Sequence, residues 1–516
     1  MSVKAFAFLG CALFYLISGS LCFFSCSQGA KQQSKLEIAI RTQPITLDPR
    51  TATDAYGQQI SELIFNGLFN NNERMEIVPD LAAHVEQPND TTYVISLKKG
   101  VFFHHGKELT ADDVIYTITS MRDGGVISPH KSVFARIKTL EKIDPYTIRL
   151  ELTEPFAPLL ISLCVGIVPQ DVAQQKGESF GREPIGTGPY RFVRWMDDTV
   201  VELAAHEKFS GQKPLSQKLL FQIVKDDNVR VLKLLKGDLD IVLNGVPPLL
   251  LEKVKEDKKL VTRTETGLTM AYIGVNMTDN ILKKKNVRKA IALGLNRDEL
   301  IQHRRYGLAE KANSLLAPVN WAFDKRLSQI PYDPEQAKKL LNEAGYHDPD
   351  GDGPKMRFTL SFKTSTVKER VDTVRMIAHQ LGKIGVGIKV ESFEWATLFD
   401  DIKKGNFQLY SLTWVGIIDP DMYYSVFHST QTPPEGANRG RYKNPALDPL
   451  LEAGRREINI EKRGEIYANV QEILLDDLPQ IPLWHEDNIL VYRKGLEHVA
   501  LWPDASFQPL ASISTK

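Results

Sequence analysis

Cysteine is scarce in this sequence, with four residues in 516. Cys11, Cys22 and Cys26 all fall in the first 26 residues, which leaves Cys164 alone in the rest of the chain. A disulfide framework is therefore excluded for the body of the protein. Cys164 lies in the apolar run LISLCVGIV, so we expect an unreactive, buried thiol.

The sequence also lacks an excess of charge of either sign, since Lys+Arg and Asp+Glu both number 64. No net field would draw in nucleic acid, and we predict no nucleic-acid partner. No Gly-Lys-Ser/Thr phosphate-binding loop is present, so ATP hydrolysis would have to belong to a partner subunit. Neither a repeat nor a low-complexity stretch occurs.

Two hydrophobic periodicities alternate along a chain that is too long for a single core. Strand-like alternation occurs in KLEIAIR and YTIRLEL. Helical spacing occurs in YDPEQAKKLLNEAGY, where we expect Asp333 to cap a helix that Gly345 ends. Another helix is expected to begin near Val287 and to include the whole of VRKAIALGLNRDELI. The mixture predicts an α/β fold with mixed β-sheets flanked by helices, in two or three domains.

The N-terminus has the pattern of a secretion signal. Lys4 precedes an uncharged apolar stretch, Ala5–Phe24, which is typical of a secretory signal, with a membrane anchor as the alternative. We therefore predict a signal peptide over residues 1–25 and a polar tether over residues 26–35.

Two cysteines end this signal, and the residue before each one distinguishes them. Lipoprotein processing needs a small residue at that position. Ser25 precedes Cys26, whereas the bulky Leu21 precedes Cys22. We therefore predict lipidation of Cys26, with Cys22 as the alternative.

Some short motifs look catalytic or metal-binding, and each has a simpler interpretation. Ser179 in GESFG fits a nucleophile elbow, but its flanks predict a loop and not a strand and a helix. DPDGDG begins like a calcium loop, but Thr359 stands where the bidentate Glu is needed, so a turn is favoured over weak calcium binding. His104 and His105 are adjacent, and adjacent residues of a strand point to opposite faces. We predict no catalytic residue, no metal site and no cofactor.

A long stretch, PDLAAHVEQPNDTTYVISLKKGVFFHHGKELTADDVIYTI (Pro79–Ile118), resembles the extracellular solute-binding proteins of peptide and nickel ABC transporters. Their pattern is Pro-Asp-Leu-Ala, then Gly-Val-x-Phe-His and Thr-Ala-x-Asp-Val. Further similarities follow in order, including TLDPR, PIGTGPYRFVRW, VRKAIALGLNRDELI and RYKNPALDPLL, so that the resemblance spans nearly the whole chain after the tether.

The resemblance implies a two-lobed, periplasmic-binding-protein-like (type II) clamp that closes on its ligand. In this family one lobe is built from two chain segments and the other from the segment between them. We therefore expect lobe I over residues 36–270 and 485–516, and lobe II over residues 271–484. Ligand contacts made only in the closed state would stabilise that state.

The segment LTWVGIIDPDMYYSVF raises a question about the ligand. In peptide-binding relatives the corresponding tryptophan begins Trp-x-x-Asp, and that acid pairs with the peptide ammonium. Here Trp414 and Gly416 are kept, but Ile417 stands in the place of the acid. Either Asp419 or Asp421 replaces it, or the anchor is absent and both acids belong to a turn before a helix.

The resemblance implies two further groups of ligand contacts. One is a lobe I loop whose Asp54 is also a candidate helix cap, comprising Thr53, Asp54, Ala55 and Tyr56. The other comprises candidate carboxylate-binding residues, although exposure to solvent is the simpler fate of an arginine, and consists of Asn438, Arg439 and Arg441.

By resemblance, the expected partners are an oligopeptide ligand and an ABC permease of the cytoplasmic membrane with its ATPase subunits. We expect a non-catalytic monomer in the periplasm, held to the membrane by lipid. A nickel chelate, haem, a sugar or a modified peptide are alternative ligands, and a secreted hydrolase built around Ser179 is the alternative class.

Lipidation can be tested by metabolic labelling. Cells that produce the full chain should incorporate palmitate into the protein, and Cys26→Ser should abolish this incorporation because the acceptor sulfur is lost. Cys22→Ser is the matched control and should retain the label. Undiminished labelling of the Cys26→Ser variant would contradict the prediction.

Overall fold

The computed structural model describes residues 35–351 and 353–515. The predicted signal peptide, Cys26 and the tether up to residue 34 lie outside the described residues, as does Asp352 of the DPDGDG motif. Within the described residues, no helix combines the length and the apolar character needed to cross a bilayer.

The strands are distributed along the whole described chain. In chain order they are β1 (Lys35–Ile40), β2 (Phe69–Asn71), β3 (Ile77–Pro79), β4 (Ala82–Asn89), β5 (Thr92–Leu97), β6 (Ile137–Asp144), β7 (Thr147–Leu152), β8 (Tyr190–Met196), β9 (Val200–Ala205), β10 (Lys218–Ile223), β11 (Ile241–Leu243), β12 (Leu260–Val275), β13 (Ala309–Lys311), β14 (Phe358–Ser365), β15 (Val386–Phe393), β16 (Leu409–Trp414), β17 (Gln480–Arg493), β18 (Leu496–Glu497) and β19 (Ser514–Thr515).

Helices alternate with these strands. They are α1 (Ala55–Ile64), α2 (Ala111–Arg122), α3 (Lys131–Phe134), α4 (Leu159–Ser162), α5 (Gln170–Lys176), α6 (Asp227–Lys236), α7 (Pro248–Lys255), α8 (Lys285–Leu293), α9 (Arg297–Arg304), α10 (Pro334–Glu343), α11 (Lys368–Gly382), α12 (Trp395–Lys404), α13 (Met422–Phe427), α14 (Asp448–Arg456) and α15 (Ile460–Asp477), with short 3₁₀ helices at Gly177–Arg182 and Gln508–Ser512.

One large mixed sheet organises the fold, in the order β15-β14-β16-β12-β17-β11-β1-β10-β9-β8, with β13 paired to β17. Strand β1 lies parallel between β10 and β11, and its successive side chains point to opposite faces of the sheet. Its residues Leu36, Ile38 and Ile40 are buried in the core of the first half of the sheet. A separate sheet in the order β4-β5-β7-β6 covers its own apolar core together with α2.

Strands β12 and β17 run through both halves of the large sheet. The first part of β12, Leu260–Thr266, pairs with Asp487–Arg493, whereas Thr269–Gly274 pairs with Gln480–Glu486. The register shifts between these two parts, at Gly267 and Leu268. The predicted limits of lobe I and lobe II fall within these two strands, and the limits themselves stay a prediction.

The helix α10 begins where the sequence indicates. Asp333 accepts a hydrogen bond from the backbone N of Gln336 at 2.9 Å, and Pro334 takes the first helical position. Gly345 follows the helix with a φ of +87°, a left-handed conformation that suits glycine. Ala337 and Leu341 are buried in the core of lobe II.

The single helix expected from Val287 onward is interrupted. It is divided into α8 and α9, because the chain leaves the helix at Gly294 and Asn296 caps a new one. The Asn296 side chain accepts a hydrogen bond from the backbone N of Glu299 at 3.0 Å. The hydrophobic stripe of Val287, Ile291 and Leu295 is nevertheless buried as the spacing predicts.

Removing the Asp333 cap should weaken lobe II. Asp333→Ala is expected to lower the free energy of unfolding by about 1 kcal/mol, since a backbone N–H at the start of α10 loses its acceptor. Lys339→Ala, at an exposed position of the same helix, is the control and should change stability by less than about 0.5 kcal/mol. Urea unfolding followed by circular dichroism measures both, and equal effects would show that the cap contributes nothing.

Candidate ligand-binding site

A cavity of about 230 Å³ lies between residues of the predicted lobe I and one residue of the predicted lobe II, Ile418. Helix α1, the start of the β2–β3 hairpin, the α4 region and the C-terminal segment provide the lobe I wall. The lining residues are Pro49, Gln58, Ser61, Glu62, Phe65, Gly67, Asn70, Asn71, Asp80, His130, Ile161, Ser162, Cys164, Val165, Gly166, Ile418 and Gln508. A concave site with a mixed polar and apolar lining is typical of a small-molecule or peptide pocket.

Helix α1 turns a polar face to this cavity. Gln58 lies three and four positions before the lining residues Ser61 and Glu62, so the three share one side of the helix, and Phe65 lines the cavity directly after the helix ends. The opposite side carries the buried Ile60, Leu63 and Ile64. The apolar face thus anchors α1 in lobe I and directs Glu62 toward the cavity.

Glu62 is an acid with an unusual environment. Ser506 Oγ donates a hydrogen bond to Glu62 Oε2 at 2.7 Å. Glu62 as a whole is exposed to solvent, and it lines the cavity. Desolvation raises the pKa of Glu62 to about 7, with a further contribution from the nearby Asp504.

Asp80 and Cys164 share this wall. Asn66 Nδ2 donates a hydrogen bond to Asp80 at 2.9 Å, yet burial still raises the pKa of the Asp80 carboxyl above its ordinary value. Burial, followed by the charges of Asp80 and Glu62, raises the pKa of the Cys164 thiol. A raised pKa disfavours the thiolate, and the residue lies half-buried on the cavity wall and not fully buried as we expected.

Trp414 ends β16 and packs inside lobe II. Its side chain is only 6% exposed, its ring stacks on Tyr272 at 5.5 Å, and its Nε1 donates to Gln480 Oε1 at 3.0 Å. Gly416 then turns the chain with a φ of +65°, and Ile417 enters the same core, 4% exposed. In this segment it is Ile418 that reaches the cavity.

The two acids that follow are both engaged in ion pairs with arginines. Asp419 accepts hydrogen bonds from Arg463 at 2.7 and 3.0 Å. Asp421 lies 2.8 Å from Arg455 Nε, and burial raises the pKa of the Asp421 carboxyl. Neither acid lines the cavity, and Asp419 Oδ1 also accepts from the backbone N of Asp421 at 2.8 Å, as in a turn before a helix.

The pair of Asp421 and Arg455 also borders lobe I. The backbone O of Arg455 accepts a hydrogen bond from Ala157 N at 2.8 Å, and its guanidinium lies 5.2 Å from the ring of Phe156. Asp421 therefore holds the side chain of Arg455 at a contact between the predicted lobes.

The lobe I loop is arranged around the start of α1. Asp54 caps the helix, and its carboxylate accepts hydrogen bonds from Gly57 N at 2.8 Å and Ile45 N at 3.0 Å. Thr53 and Ala55 are exposed, whereas Tyr56 packs against the lobe I core. The helix-cap interpretation of Asp54 is thus the one that the contacts fit, and the first residue of α1 that lines the cavity is Gln58, one turn later.

The predicted arginines have different surroundings. Arg439 lies 4.6 Å from the ring of Trp414 and donates to the hydroxyl of Tyr272 at 3.1 Å, so these two predicted site residues are brought together. Arg441 instead donates to the backbone O of Arg439 and of Lys403. Asn438 is buried, and its side chain bonds to backbone groups of His428 and Tyr442.

The motifs that resemble catalytic sites have structural roles. Ser179 lies in a 3₁₀ helix and donates to the backbone O of Lys176 at 2.7 Å, which is not the geometry of a nucleophile elbow. Burial lowers the pKa of His104 to about 3, and its ring contacts the backbone of Gly186 and Gly188. Asp348 accepts hydrogen bonds from two backbone N–H groups of its turn.

Sequence reasoning missed Glu62, Asp80, Ile418 and Gln508 as cavity residues. The sequence does place Glu62 on the polar side of α1, opposite the apolar Ile60 and Leu63, and this pattern could have identified it. Asp80 falls in the Pro-Asp-Leu-Ala pattern of the resemblance, which carries no ligand role, and no local pattern connects Gln508 to α1.

These features define the class of the protein as a two-lobed solute-binding protein with its candidate pocket between the lobes. Residues 76–434 match the model of the bacterial extracellular solute-binding proteins, family 5 (middle domain). The chain belongs to this family, and the prediction of the two-lobed, type II periplasmic-binding-protein-like fold is confirmed.

Individual relatives are similar over most of their length. The oligopeptide-binding protein AppA of Bacillus subtilis is 27% identical over 494 residues, covering 91% of this chain and 90% of its own. Heme-binding protein A of Haemophilus influenzae is 30% identical over 457 residues, covering 82% of each chain. The crystal structure of the ABC transporter substrate-binding protein CtaP of Listeria monocytogenes superposes with a TM-score of 0.84 at 24% identity, covering 93% of this chain and 99% of that one.

The arginine pairing of Asp419 leads to a testable expectation. Asp419→Asn should destabilise the protein by about 3 kcal/mol, because it leaves the largely buried Arg463 without its counter-charge. Asp112→Asn removes one acid of an exposed pair with Lys142 and should cost less than about 1 kcal/mol. Thermal unfolding measures the stability of both variants. Peptide titration of the same variants tests the alternative, that Asp419 binds the ligand. A large loss of affinity without destabilisation would return Asp419 to the role of ligand anchor.

Proposed function

We propose that this protein captures oligopeptides between its two lobes and delivers them to an ABC permease. The observation that supports this most directly is the cavity that lobe I forms with Ile418 of lobe II. A ligand in that position contacts both lobes only when they are closed, and so stabilises the closed form. The permease, with its ATPase subunits, would recognise the closed form.

The assignment to peptides is supported by the family and by relatives named for peptides, among them the Bacillus subtilis oligopeptide-binding protein. The ligand role of several residues stays a prediction, and these residues are Thr53, Asp54, Ala55, Tyr56, Trp414, Gly416, Ile417, Asp419, Arg439 and Arg441. The protein itself performs no chemistry in this proposal. It acts as a periplasmic monomer held to the membrane by lipid on Cys26.

One observation favours a second candidate ligand class. Ile417, packed in the core, stands in the place where peptide-binding relatives carry the ammonium-binding acid. A relative that is 30% identical is named a heme-binding protein. Haem, a metal chelate or a modified peptide on the same scaffold is therefore the alternative.

Native mass spectrometry of protein purified without refolding tests the proposal, since a captured ligand should appear as added mass. We expect masses in the range of short peptides, released by mild activation. Small-angle scattering should show a smaller radius of gyration once trialanine or a longer peptide saturates the protein. A haem mass, or an unchanged radius with every peptide tried, would contradict the peptide assignment.

A further inference from the structure

One contact between the predicted lobes lies beside the crossing of β12 and β17. Met75, in the turn between β2 and β3, is buried in a cluster with Leu268 and Ala317. Ile418 and Trp502 pack against the same cluster. Because Leu268 belongs to the register shift of β12, this cluster lies where the lobes would turn relative to each other. Packing at a hinge moves little, so this cluster does not by itself hold the lobes closed.

A second contact lies at the end of α14 and uses no residue of either crossing strand. Ala157, in the segment between β7 and α4, donates its backbone N–H to the backbone O of Arg455 at 2.8 Å. Arg455 lies in the last turn of α14, where carbonyl groups lack a partner within their own helix. A residue of the predicted lobe I thus caps a helix of the predicted lobe II.

The side chains of the same two segments also meet. The guanidinium of Arg455 lies 5.2 Å from the centre of the Phe156 ring, within the range of a cation–π contact. Arg456 Nη2 lies 3.6 Å from Glu154 Oε2, and both of these side chains are about half exposed. We name these residues the α14 contact, and they are Glu154, Phe156 and Ala157 of lobe I with Arg455 and Arg456 of lobe II.

The α14 contact is made by the protein alone. Its five residues lie outside the wall of the cavity. If the lobes separated, the Ala157 N–H and the Arg455 carbonyl would pair with water, so the hydrogen bond between them is reversible. The side chain of Arg455 would keep its lobe II partner, Asp421, in both forms. Opening therefore leaves no buried charge unpaired at this contact.

We propose that the α14 contact is a latch that stabilises the closed form of the protein before any ligand binds. This inference goes beyond ligand capture and rests on the proposed opening and closing of the lobes. A ligand that binds the closed form then contributes less free energy to closure, so its apparent affinity rises with the fraction of protein that is already closed.

The ion pair makes the latch sensitive to salt. Glu154 Oε1 accepts a hydrogen bond from Arg136 Nη1 of its own lobe at 2.5 Å, which holds the carboxylate in place beside Arg456. Salt screens an exposed ion pair strongly, whereas it affects a hydrogen bond between backbone groups much less. We therefore expect high salt to weaken the latch without releasing it completely.

Hydrogen–deuterium exchange of the ligand-free protein tests the latch directly. The amide of Ala157 is bonded across the lobes, and its neighbours Pro155 and Pro158 have no amide hydrogen to obscure the measurement. At low salt this amide should exchange at least about tenfold more slowly than in an unstructured peptide, because the closed fraction protects it. Exchange at the unstructured rate would show an open ligand-free protein and overturn the inference.

Arg456→Gln and Arg456→Glu test the ion pair. Removing or reversing this charge should speed exchange of the Ala157 amide about twofold and about fivefold, respectively, at low salt. Lys339→Glu makes the same change of charge at an exposed position of α10 in lobe II, and this matched control should exchange like the parent protein. Thermal unfolding should be nearly unchanged in all three variants, since each side chain is exposed. Unchanged exchange in both Arg456 variants would refute the latch.

The response to salt gives a readout that a merely structural role would not move. Raising the salt concentration from about 0.02 M to about 0.5 M should speed exchange of the Ala157 amide several-fold in the parent protein. Small-angle scattering should show a larger radius of gyration for the ligand-free protein under the same change. Arg456→Gln should lose most of both responses, because it lacks the ion pair. Responses that persist in this variant would assign the salt effect to other charges and contradict the proposal.

Failure of the proposed function is distinguished from failure of this inference, because the exchange measurements need no ligand. If no peptide binds but the Ala157 amide of the free protein shows the expected protection and salt response, the peptide assignment fails and the latch stands. If trialanine binds and the amide is protected only in its presence, the ligand alone closes the lobes and the latch is rejected.

Discussion

The antiparallel pairing of β12 with β17 is the interaction on which the rest of the structure depends. These strands carry hydrogen bonds from one half of the large sheet into the other, so both lobes are built on the same pair. At the register shift, Gly267 passes so close to β17 that a Cβ there would lie 2.8 Å from the backbone O of Glu486. A side chain would force the strands apart at the point where the lobes join.

A polar network extends from this crossing to the cavity. Asn488 on β17 accepts a hydrogen bond from Asn244 Nδ2 at 2.9 Å and donates to the backbone O of Pro503 at 2.8 Å. Those bonds hold the C-terminal segment against lobe I, and Ser506 in that segment donates to Glu62. The residue that sets the environment of the cavity acid is thus positioned by the strands that connect the lobes.

Local patterns in the sequence predicted local structure well. The alternation in KLEIAIR corresponds to β1, Asp333 and Asp54 cap helices, and the resemblance identified the fold. The interruption between α8 and α9 was missed because Val287, Ile291 and Leu295 continue one apolar stripe across it, so periodicity alone gives no sign of the new cap at Asn296.

The candidate site was predicted less well because its chemistry is made by contacts between distant segments. Asp419 is neutralised by Arg463, 44 positions away, and Glu62 is bonded by Ser506, 444 positions away. A single sequence does not show which arginine reaches which acid. It therefore cannot separate a paired acid of a turn from a free acid of a pocket.

The difference between a paired acid and a free acid explains why an isoleucine is compatible with position 417. Its side chain lies in a core that includes Trp414, where an ionised carboxylate would lose its hydration and would need a partner. Arg439, whose guanidinium lies 4.6 Å from the ring of Trp414, already bonds to Tyr272. An apolar residue at 417 is consistent with that packing, and the acids that follow are held by their own arginines.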